Sequence, residues 1–526
     1  MQRWESIQKV NTLAVKYYGV MMVNVQGLEL LIVNLKTLKP LEHVKKDINL
    51  GDDVYQDQPV KYESVNRVSE ALTGFVQILN DYGVANYKLF GSSALHQAIN
   101  SDFIADQLFL HTGLNIEWLS SSEETYYRNQ NISIELRNQK NDDNRTVFLV
   151  GITSGNTAIT EFKNGKFVDS TSFALGPIKI AEDLQSLRQT APSSIGLLND
   201  YIDSKLNDFY IGNPASVVSS QKPSKIILLG SLPLQRLVEN YEHTKVGETI
   251  TANDFTELVD DLVDTSDQYL IERLQVDPNY IPMVLPELLL TRRILRVTNA
   301  VEIGFSSSGV VDGLVNQEAL ERGYSKLDFT PEIIRLALNL SEHYDVEPVH
   351  RDLVTKFALH LFDQLRPLHK LGRRERTLLQ VASILHDSGN YIGIHEHYLH
   401  SEYIILHSEI IGLSRDDIRV IAAIARYHSS TTPNEDLIHF QHISAESRRL
   451  IAKLAAILRL ADALDDDRQQ KIKKISVSIK ESKVVITVFS NANLAYEHWI
   501  FNTKSHFFTE AYGYKAVLKQ RGIKAK

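Results

Sequence analysis

Histidine and aspartate residues that could bind a metal ion are concentrated in the last third of the chain. They are His350, the adjacent pair His386-Asp387, and Asp462. Each lies on the apolar side, or at the end, of a segment with helical periodicity. Buried imidazoles and carboxylates are unfavourable unless they are paired, and a divalent cation is a suitable partner. One such histidine is usually a core residue, but four residues from three separate helices predict a metal site.

Further histidines surround this set in the sequence. His400 and His428 could extend it to a second metal ion or bind a phosphate, whereas His395, His397 and His407 are predicted to be solvated. The ligands offer oxygen and nitrogen but no thiolate, which favours Mg, Mn, Fe, Co or Ni over structural zinc. A metal-bound water in such a site would attack a phosphoester.

The helices that must carry these residues begin near residue 330, where Thr330-Pro331-Glu332 is typical of a helix start. From there to about residue 467 nearly every segment has helical periodicity. Gly389 is a plausible helix C-cap just after the His-Asp pair, and residues 465–467, three aspartates, are predicted to form an exposed acidic helix end. Residues 475–489 then alternate with period two, which predicts a small α/β tail.

The first 320 residues contain two similar patterns. Residues 20–33 and 147–162 each predict a β-hairpin, and Asn164-Gly165 predicts a further hairpin turn. Additional strands are predicted at 88–90, 116–119 and 225–229. A duplicated α/β unit with a cleft between its halves is the simplest interpretation.

The bulk properties restrict the function classes. The 526 residues require more than one core, and the net charge of -9 gives no basic surface for nucleic acid. The chain has no cysteine, and no apolar stretch approaches the roughly 20 residues that span a bilayer. The first 30 residues also lack a signal-peptide pattern. We therefore expect a cytoplasmic protein without a membrane or nucleic-acid partner.

Several runs resemble segments of a known family. They are residues 91–98 (GSSALHQA), 113–120 (GLNIEWLS) followed by Glu123-Glu124, 174–176 (ALG) and 309–313 (GVVDG). With the order of duplicated half, helical part and tail, the whole chain resembles the exopolyphosphatase/guanosine pentaphosphate phosphatase (Ppx/GppA) family. The helical part resembles an HD domain, whose pattern of His, His-Asp and a distant Asp matches His350, His386-Asp387 and Asp462.

The resemblance implies a fold class and a domain order. The fold class is α/β, with tandem actin-like (ribonuclease H-like) domains followed by an all-α HD-type domain and a small α/β tail. The expected ranges are 1–135 and 136–322 for the actin-like domains, 323–470 for the helical domain and 471–526 for the tail. Implied partners are polyphosphate or guanosine polyphosphate, with a Mg-type or Mn-type divalent cation, in a homodimer. Family members remove terminal phosphates from polyphosphate, or the 5′ phosphate of pppGpp.

The family's general base falls on Glu124, but its phosphate loops differ here. The first falls on residues 22–26 and the second on 151–158, where the family's Asp and Glu are replaced by Gly151 and Ala158. Without them the family's cation loses its obvious ligands, and one such electrostatic loss typically costs on the order of 10²–10³ in rate. Lys166, Lys179 or Arg128 could compensate.

Each residue of this cleft also has a structural interpretation. Glu124 could instead be the acid of a capping box with Ser121. Ser154, Gly155 and Asn156 could bind phosphate or simply form a β-turn. Three functions therefore stay open: a weakly active family phosphohydrolase that uses Glu124, a metal-dependent HD-type phosphohydrolase, and a non-enzymatic regulatory paralogue.

Overall fold

The computed structural model describes most of the chain, in two compact units; the first ends at Phe329 and the second begins at Thr330. The described residues are 16–48, 50, 54, 58–138, 146–153, 155–184, 194–212, 223–229, 232–242, 249–326, 328–429, 432 and 443–522. Within them, no helix combines the length and the apolar character that a membrane span needs.

The first unit begins with a five-stranded sheet in the order β3-β2-β1-β4-β5. Its strands are β1 (Tyr17–Asn24), β2 (Gly27–Asn34), β3 (Lys39–Asp47), β4 (Tyr87–Gly91) and β5 (Ile116–Trp118). The accompanying helices are α1 (Tyr62–Asp81), α2 (Ser93–His96), α3 (Ser101–Thr112) and α4 (Ser121–Asn138).

A six-stranded sheet follows, in the order β10-β11-β9-β6-β7-β8. Its strands are β6 (Thr146–Ile152), β7 (Thr157–Lys163), β8 (Lys166–Phe173), β9 (Ser224–Leu229), β10 (Ile250–Thr251) and β11 (Ala300–Ser306). The helices are α5 (Pro177–Asp183), α6 (Ser194–Gly212), α7 (Leu232–Glu242), α8 (Ala252–Leu262), α9 (Asp267–Glu272), α10 (Ile281–Val297) and α11 (Val310–Glu321), with a short 3-10 turn at Pro278–Tyr280.

The two sheets repeat one topology, which confirms the predicted duplication. In each, an antiparallel three-stranded meander continues into parallel strands, with β4 beside β1 and β9 beside β6. Turn residues fix the hairpins. The Asn24 side-chain oxygen accepts the backbone N–H groups of Gln26 and Gly27, while Asn164 and Gly165 have φ of 54° and 69°.

The first sheet is buried on both faces, which explains the nearly continuous apolar run of β1. Met21 and Val23 pack in one core with α1, and Val20 and Met22 pack in another with α11. Because side chains alternate across a strand, a strand covered on both sides must be apolar at every position.

The second unit is helical, as predicted, and Thr330 is the first residue of its first helix. Its elements are α12 (Thr330–His343), α13 (Pro348–Gln364), α14 (Arg366–His369), α15 (Arg373–Leu385), a 3-10 turn (Ser388–Tyr391), α16 (His397–Leu406), α17 (Arg415–Arg426) and α18 (Ala445–Asp462). Helix α13 packs on α15 and α18, and α17 packs on α15, α16 and α18. The predicted metal ligands are brought together by this bundle.

The predicted tail is also present, as a three-stranded sheet with one long helix. It consists of β12 (Lys474–Lys480), β13 (Lys483–Phe489), α19 (Ala495–Tyr512) and β14 (Lys515–Arg521). Strand β13 is central, and α19 packs on both β14 and α18. The tail therefore joins the bundle through the helix that ends at Asp462.

Candidate functional site

Side chains from three helices of the second unit meet around one point. The Nε2 atom of His350 lies 3.4 Å from Oδ1 of Asp462 and 3.9 Å from Oδ2 of Asp387. The Nε2 atom of His386 lies 3.8 Å from the same oxygen of Asp387 and 3.9 Å from that of Asp462. Ligands roughly 2.0–2.2 Å from a common ion are about 3–4 Å from one another. His350, His386 and Asp387 therefore have the spacing of a metal ligand set, and Oδ1 of Asp462 lies within 3.9 Å of both imidazoles.

His386 is oriented as a metal ligand would be. It caps the end of α15, and its Nδ1–H donates to the carbonyl oxygen of Ser383 at 2.8 Å. Its fully buried Nε2 faces the carboxylates and has no hydrogen-bond partner among the described residues. Burial lowers the pKa of His386, so the ring is neutral and presents a lone pair to the site.

His350 is held by a third carboxylate. Its Nδ1 lies 2.9 Å from Oδ2 of Asp465, which is buried. Burial opposes a charge on the ring, but hydrogen bonds to Asp462 and Asp465 outweigh it and raise the pKa of His350 to about 10. The site therefore attracts positive charge. The expectation of an exposed acidic run at 465–467 was wrong for Asp465, because it orients His350.

A second group of possible ligands uses the other oxygen of Asp387. Its Oδ1 lies 3.4 Å from Nε2 of His397 and 3.8 Å from Nε2 of His428, and these two nitrogens are 3.2 Å apart. His428 Nδ1 donates to the Ala425 carbonyl at 2.5 Å, and burial lowers the pKa of His428 to about 3. His428 is therefore a neutral ring whose lone pair faces Asp387.

His397 lies in this second group, although the sequence predicted a solvated residue. Its side chain is 22% exposed, which makes it the most accessible imidazole of the two groups. His400, predicted as a ligand, lies one turn further along α16 with its ring beside Gly393. It belongs to neither group of ligand atoms found among the described residues.

Gly389 explains how His397 reaches the cluster. A Cβ atom at this position would overlap the backbone carbonyl of His397 and the backbone nitrogen of Ser401. The 3-10 turn that follows Asp387 thus packs directly on α16, and Gly389 N–H donates to the Ser401 hydroxyl at 2.9 Å. The predicted role of Gly389 as a helix C-cap was wrong. A glycine is required here for close backbone contact.

Both carboxylates of the cluster are ionised. Burial opposes ionisation of Asp387, but the positive charge of the Arg468 guanidinium favours it, and the pKa of Asp387 is lowered to about 2. Burial likewise opposes ionisation of Asp462, yet the Lys504 ammonium and His350 hold its pKa well below the ordinary value. Two charged carboxylates and the neutral imidazole of His386, with a protonated His350 that would release its proton to a cation, make a ligand set for a hard or borderline divalent cation.

Glu124 lies in the cleft of the first unit, where the sequence placed the family's general base. It is buried near the start of α4, and its Oε1 accepts the Ser93 N–H at 2.5 Å. Burial raises the pKa of Glu124, although the positive charge of Arg128 and the Ser93 hydrogen bond oppose this. The guanidinium of Arg128 also lies against Gly151. Arg128 thus supplies the positive charge next to Glu124.

The alternative role of Glu124 in a capping box was wrong. The box is formed one residue earlier, where Glu123 accepts the Ser120 N–H at 2.9 Å and Ser120 accepts the Glu123 N–H at 3.2 Å. Glu124 is consequently available to the cleft. The pocket beside Glu124 is small, at about 10 Å³, which is room for about one water molecule. Its lining residues are Ser93, Ser121, Glu124, Thr125, Arg128, Gly151, Thr153, Asn156 and Ala158.

The predicted phosphate loop is a tight turn between β6 and β7. Ser154 lies outside the described residues, Gly155 is in the turn, and Asn156 is at its end. The Asn156 N–H donates to the Thr153 hydroxyl at 3.2 Å, and the Asn156 carbonyl accepts the Thr153 N–H at 2.8 Å. These groups form hydrogen bonds with one another within the hairpin, as expected of a structural β-turn.

Comparison with family models gives two matches. The model of the Ppx/GppA phosphatase family matches residues 31–322, and that of Ppx/GppA phosphatase, domain III matches residues 334–504. The helical unit is thus described by the family's own third domain.

Named relatives match most of the length of the chain, but at low sequence identity. The chain is 20% identical to a guanosine-5′-triphosphate,3′-diphosphate pyrophosphatase of Photobacterium profundum, over 86% of this chain and 87% of that protein. It is 22% identical to the protein of the same name from Aeromonas hydrophila, over 86% and 88%. A crystal structure of an exopolyphosphatase from Cytophaga hutchinsonii matches with a TM-score of 0.50 and 16% identity, over 58% of this chain and 98% of that one. This last similarity shows the actin-like fold alone.

Proposed function

The chain belongs to the Ppx/GppA phosphatase family, and we propose that it is a divalent-metal-dependent phosphohydrolase whose centre lies in the helical unit. The substrate class is a phosphoanhydride or phosphoester such as polyphosphate or a guanosine polyphosphate. One observation carries the proposal: Nε2 of His350 and Nε2 of His386 each lie 3.4–3.9 Å from one oxygen of Asp387 and from one oxygen of Asp462. The proposal follows the HD-type pattern that the resemblance of the helical part implies.

The donor set fits a divalent cation. The buried Nε2 of His386 otherwise lacks a partner among the described residues, and each carboxylate offers an oxygen to the same point. The second group, formed by Asp387, His397 and His428, would place a second cation on the opposite oxygen of Asp387. When bound, such cations polarise a phosphoryl oxygen and lower the pKa of a coordinated water.

The residues of the chain have separate roles in this reaction. His386 and His428 are fixed by backbone carbonyls, so their lone pairs keep one direction. Asp465 fixes the ring of His350 in the same way. His397, the most exposed imidazole of the two groups, would complete the second group on the side that faces solvent.

In this proposal the cleft of the first unit is not the hydrolytic site. Among the described residues that line the pocket, Glu124 is the only carboxylate, and Arg128 already balances its charge. The pocket beside Glu124, at about 10 Å³, is also too small for a terminal phosphate. Phosphoryl transfer depends on cations that neutralise the transferred group, and this lining provides one acid where a cation needs several ligands.

Hydrolysis at Glu124 is the second candidate, favoured by one observation. Glu124 takes no part in the capping box of α4, and burial raises its pKa toward the range of a general base. This candidate requires the cleft to open. A non-enzymatic role as a paralogue of an active family member is the third.

Two measurements on the same set of proteins separate these candidates. We would assay phosphate release from polyphosphate and from pppGpp with Mg²⁺ and with Mn²⁺, and determine bound metal by mass spectrometry. The variants are His386→Ala, Glu124→Gln and, as a matched control, His400→Ala on α16. We expect His386→Ala to lose its metal and at least about a hundredfold of the activity, while the other two variants keep both.

Other outcomes would overturn the proposal. If Glu124→Gln alone abolishes phosphate release, the reaction belongs to the α/β cleft. If no variant or wild-type protein releases phosphate from either substrate, the non-enzymatic role is supported. If His386→Ala retains its metal, the helical cluster is not the cation site.

A further inference from the structure

Two cationic side chains rest on the carboxylates of the helical cluster. Nη2 of Arg468 lies 2.5 Å from Oδ2 of Asp387. Nζ of Lys504, from α19, lies 2.5 Å from Oδ2 of Asp462 and 2.9 Å from Oδ1 of Asp466. Both cations stabilise the ionised carboxylates, but they contact them in different ways.

The difference lies in which oxygen each cation uses. Lys504 contacts Oδ2 of Asp462, whereas the oxygen that faces His350 and His386 is Oδ1. Lys504 is therefore compatible with a metal ion among these groups. Arg468 contacts Oδ2 of Asp387, the oxygen that itself faces His350 and His386. A guanidinium and a divalent cation would compete for that oxygen.

The backbone around Arg468 is held in an uncommon conformation. Arg468 and Gln470 have φ of 56° and 48°, in the left-handed region that residues other than glycine rarely adopt. Asp465 maintains this bend, since its carbonyl accepts the Arg468 N–H at 2.9 Å and its Oδ1 accepts the Gln470 N–H at 2.7 Å. The residue that orients His350 thus also aims Arg468 at the cluster. Such strain persists where the surrounding structure imposes it, and it is often associated with function.

Arg468 also lies at the boundary between the cluster and solvent. Its side chain is 43% exposed, whereas that of Lys504 is 14% exposed. Oε2 of Glu347 lies 3.9 Å from Nη1 of Arg468 and has no hydrogen-bond partner among the described residues. The guanidinium can therefore leave Asp387 without losing all of its negative neighbours.

We propose that Arg468 gives up Asp387 when a divalent cation binds and then binds the terminal phosphate of the substrate. This deepens the proposed function and rests on it. A guanidinium can donate two parallel N–H hydrogen bonds to the oxygens of one phosphate. An ammonium group cannot form this planar bidentate contact and binds phosphate less specifically. Once released, Arg468 adds a positive charge beside the cation, so a group with two negative charges, such as a terminal phosphate, is preferred.

The test measures two affinities that do not depend on turnover. Mn²⁺ binding to the purified chain and inorganic phosphate binding to the Mn²⁺-loaded chain would be followed by calorimetry. For Arg468→Gln we expect Mn²⁺ to bind several-fold more tightly and phosphate to bind on the order of tenfold more weakly. Arg468→Lys keeps the positive charge but cannot form the bidentate hydrogen bond, so it should recover only part of the phosphate affinity.

A matched arginine serves as the control. Arg374 pairs with Asp417 at the opposite end of α15 from His386, and Arg374→Gln should leave both affinities unchanged. Unchanged Mn²⁺ or phosphate affinity in Arg468→Gln would overturn the role of Arg468. A wild-type chain that binds no Mn²⁺, or binds it equally in His386→Ala, would instead overturn the proposed function. Circular dichroism spectra verify that each variant is folded.

Discussion

The Nδ1 atom of His350 lies 2.9 Å from the Oδ2 atom of Asp465, three residues beyond Asp462. One short stretch of chain therefore supplies both a carboxylate for the cluster and the acceptor that orients one of its rings. The acidic run 465–467 would be ordinary on a helix surface. Here its first residue is 1% exposed, because α18 ends at the cluster and the chain turns inward behind His350.

Asp465→Asn should weaken metal binding while leaving the fold intact. The amide keeps the size of the carboxylate but loses the charge that fixes the ring of His350. Loss of such a supporting partner typically reduces metal affinity roughly 10- to 100-fold. Competition with a chromogenic chelator measures the change. Asp467→Asn, from the same run, alters a pair with Lys471 and should bind the metal as the wild type does. Equal affinities in both variants would refute this role of Asp465.

Gly389→Ala should destabilise the second unit and displace His397. The added methyl group has no space against the backbone of α16, and overpacking of this kind costs roughly 1–3 kcal/mol. Gly74→Ala is the control, because Gly74 lies on an exposed face of α1 with nothing within 4 Å of the added atom. That variant should gain about 0.5–1 kcal/mol from helix propensity. Scanning calorimetry measures whether each variant is less or more stable than the wild type. A Gly389→Ala protein as stable as the wild type would contradict the close contact.

Local patterns in the sequence predicted much of the fold correctly. Alternation and turn residues located β4, β9 and the Asn164-Gly165 hairpin, and Thr330-Pro331 located the first helix of the second unit. These features are determined within a few residues of chain. The four residues of the helical cluster could also be picked out as candidates, because each lies on, or at the end of, an apolar helical stripe that faces the bundle.

Features that depend on tertiary packing could not be predicted in this way. His397 reaches the cluster because Gly389 lets a 3-10 turn press against α16, and no local pattern distinguishes it from His395 or His400. Asp465 looked like one of three equivalent aspartates. The capping box was misplaced by one residue, since Ser120-Glu123 and Ser121-Glu124 fit the same motif. Only the three-dimensional path of the chain selects between such alternatives.

Glu161→Gln should stabilise the first unit at neutral and higher pH. Glu161 is buried on β7 opposite Asp169 of β8. Burial, and to a smaller extent the negative charge of Asp169, raises the pKa of Glu161 to about 7. The folded state therefore holds this proton more tightly than the unfolded chain does, and stability falls as pH rises from about 4.5 to 7. Gln does not titrate. At pH 8 the variant should be more stable by on the order of 1 kcal/mol, after allowance for screening, and the gain should vanish near pH 4.

Thermal unfolding followed across this pH range provides the measurement. Glu117→Gln is the control, because Glu117 is exposed on the edge strand β5 and pairs only loosely with Lys88, at 3.6 Å. Its melting temperature should track that of the wild type at every pH. A constant difference between Glu161→Gln and the wild type from pH 4 to 8 would exclude the raised pKa as the cause.

Arg128→Met should be more harmful than the simultaneous loss of Arg128 and Glu124. The single change leaves Glu124 buried with its main positive neighbour removed, and an uncompensated buried charge is strongly destabilising. In Arg128→Met/Glu124→Gln the cleft keeps its packing and contains no charge. Because Arg128 is partly accessible, we expect a single-variant loss of roughly 1–3 kcal/mol and recovery of at least half of it in the double variant. Denaturant unfolding of the four proteins of this cycle measures the coupling. If the losses of unfolding free energy in the two single variants simply add up in the double variant, Arg128 does not balance the charge of Glu124. Glu124 would then be free to bind a cation, and the cleft would again be a candidate hydrolytic site.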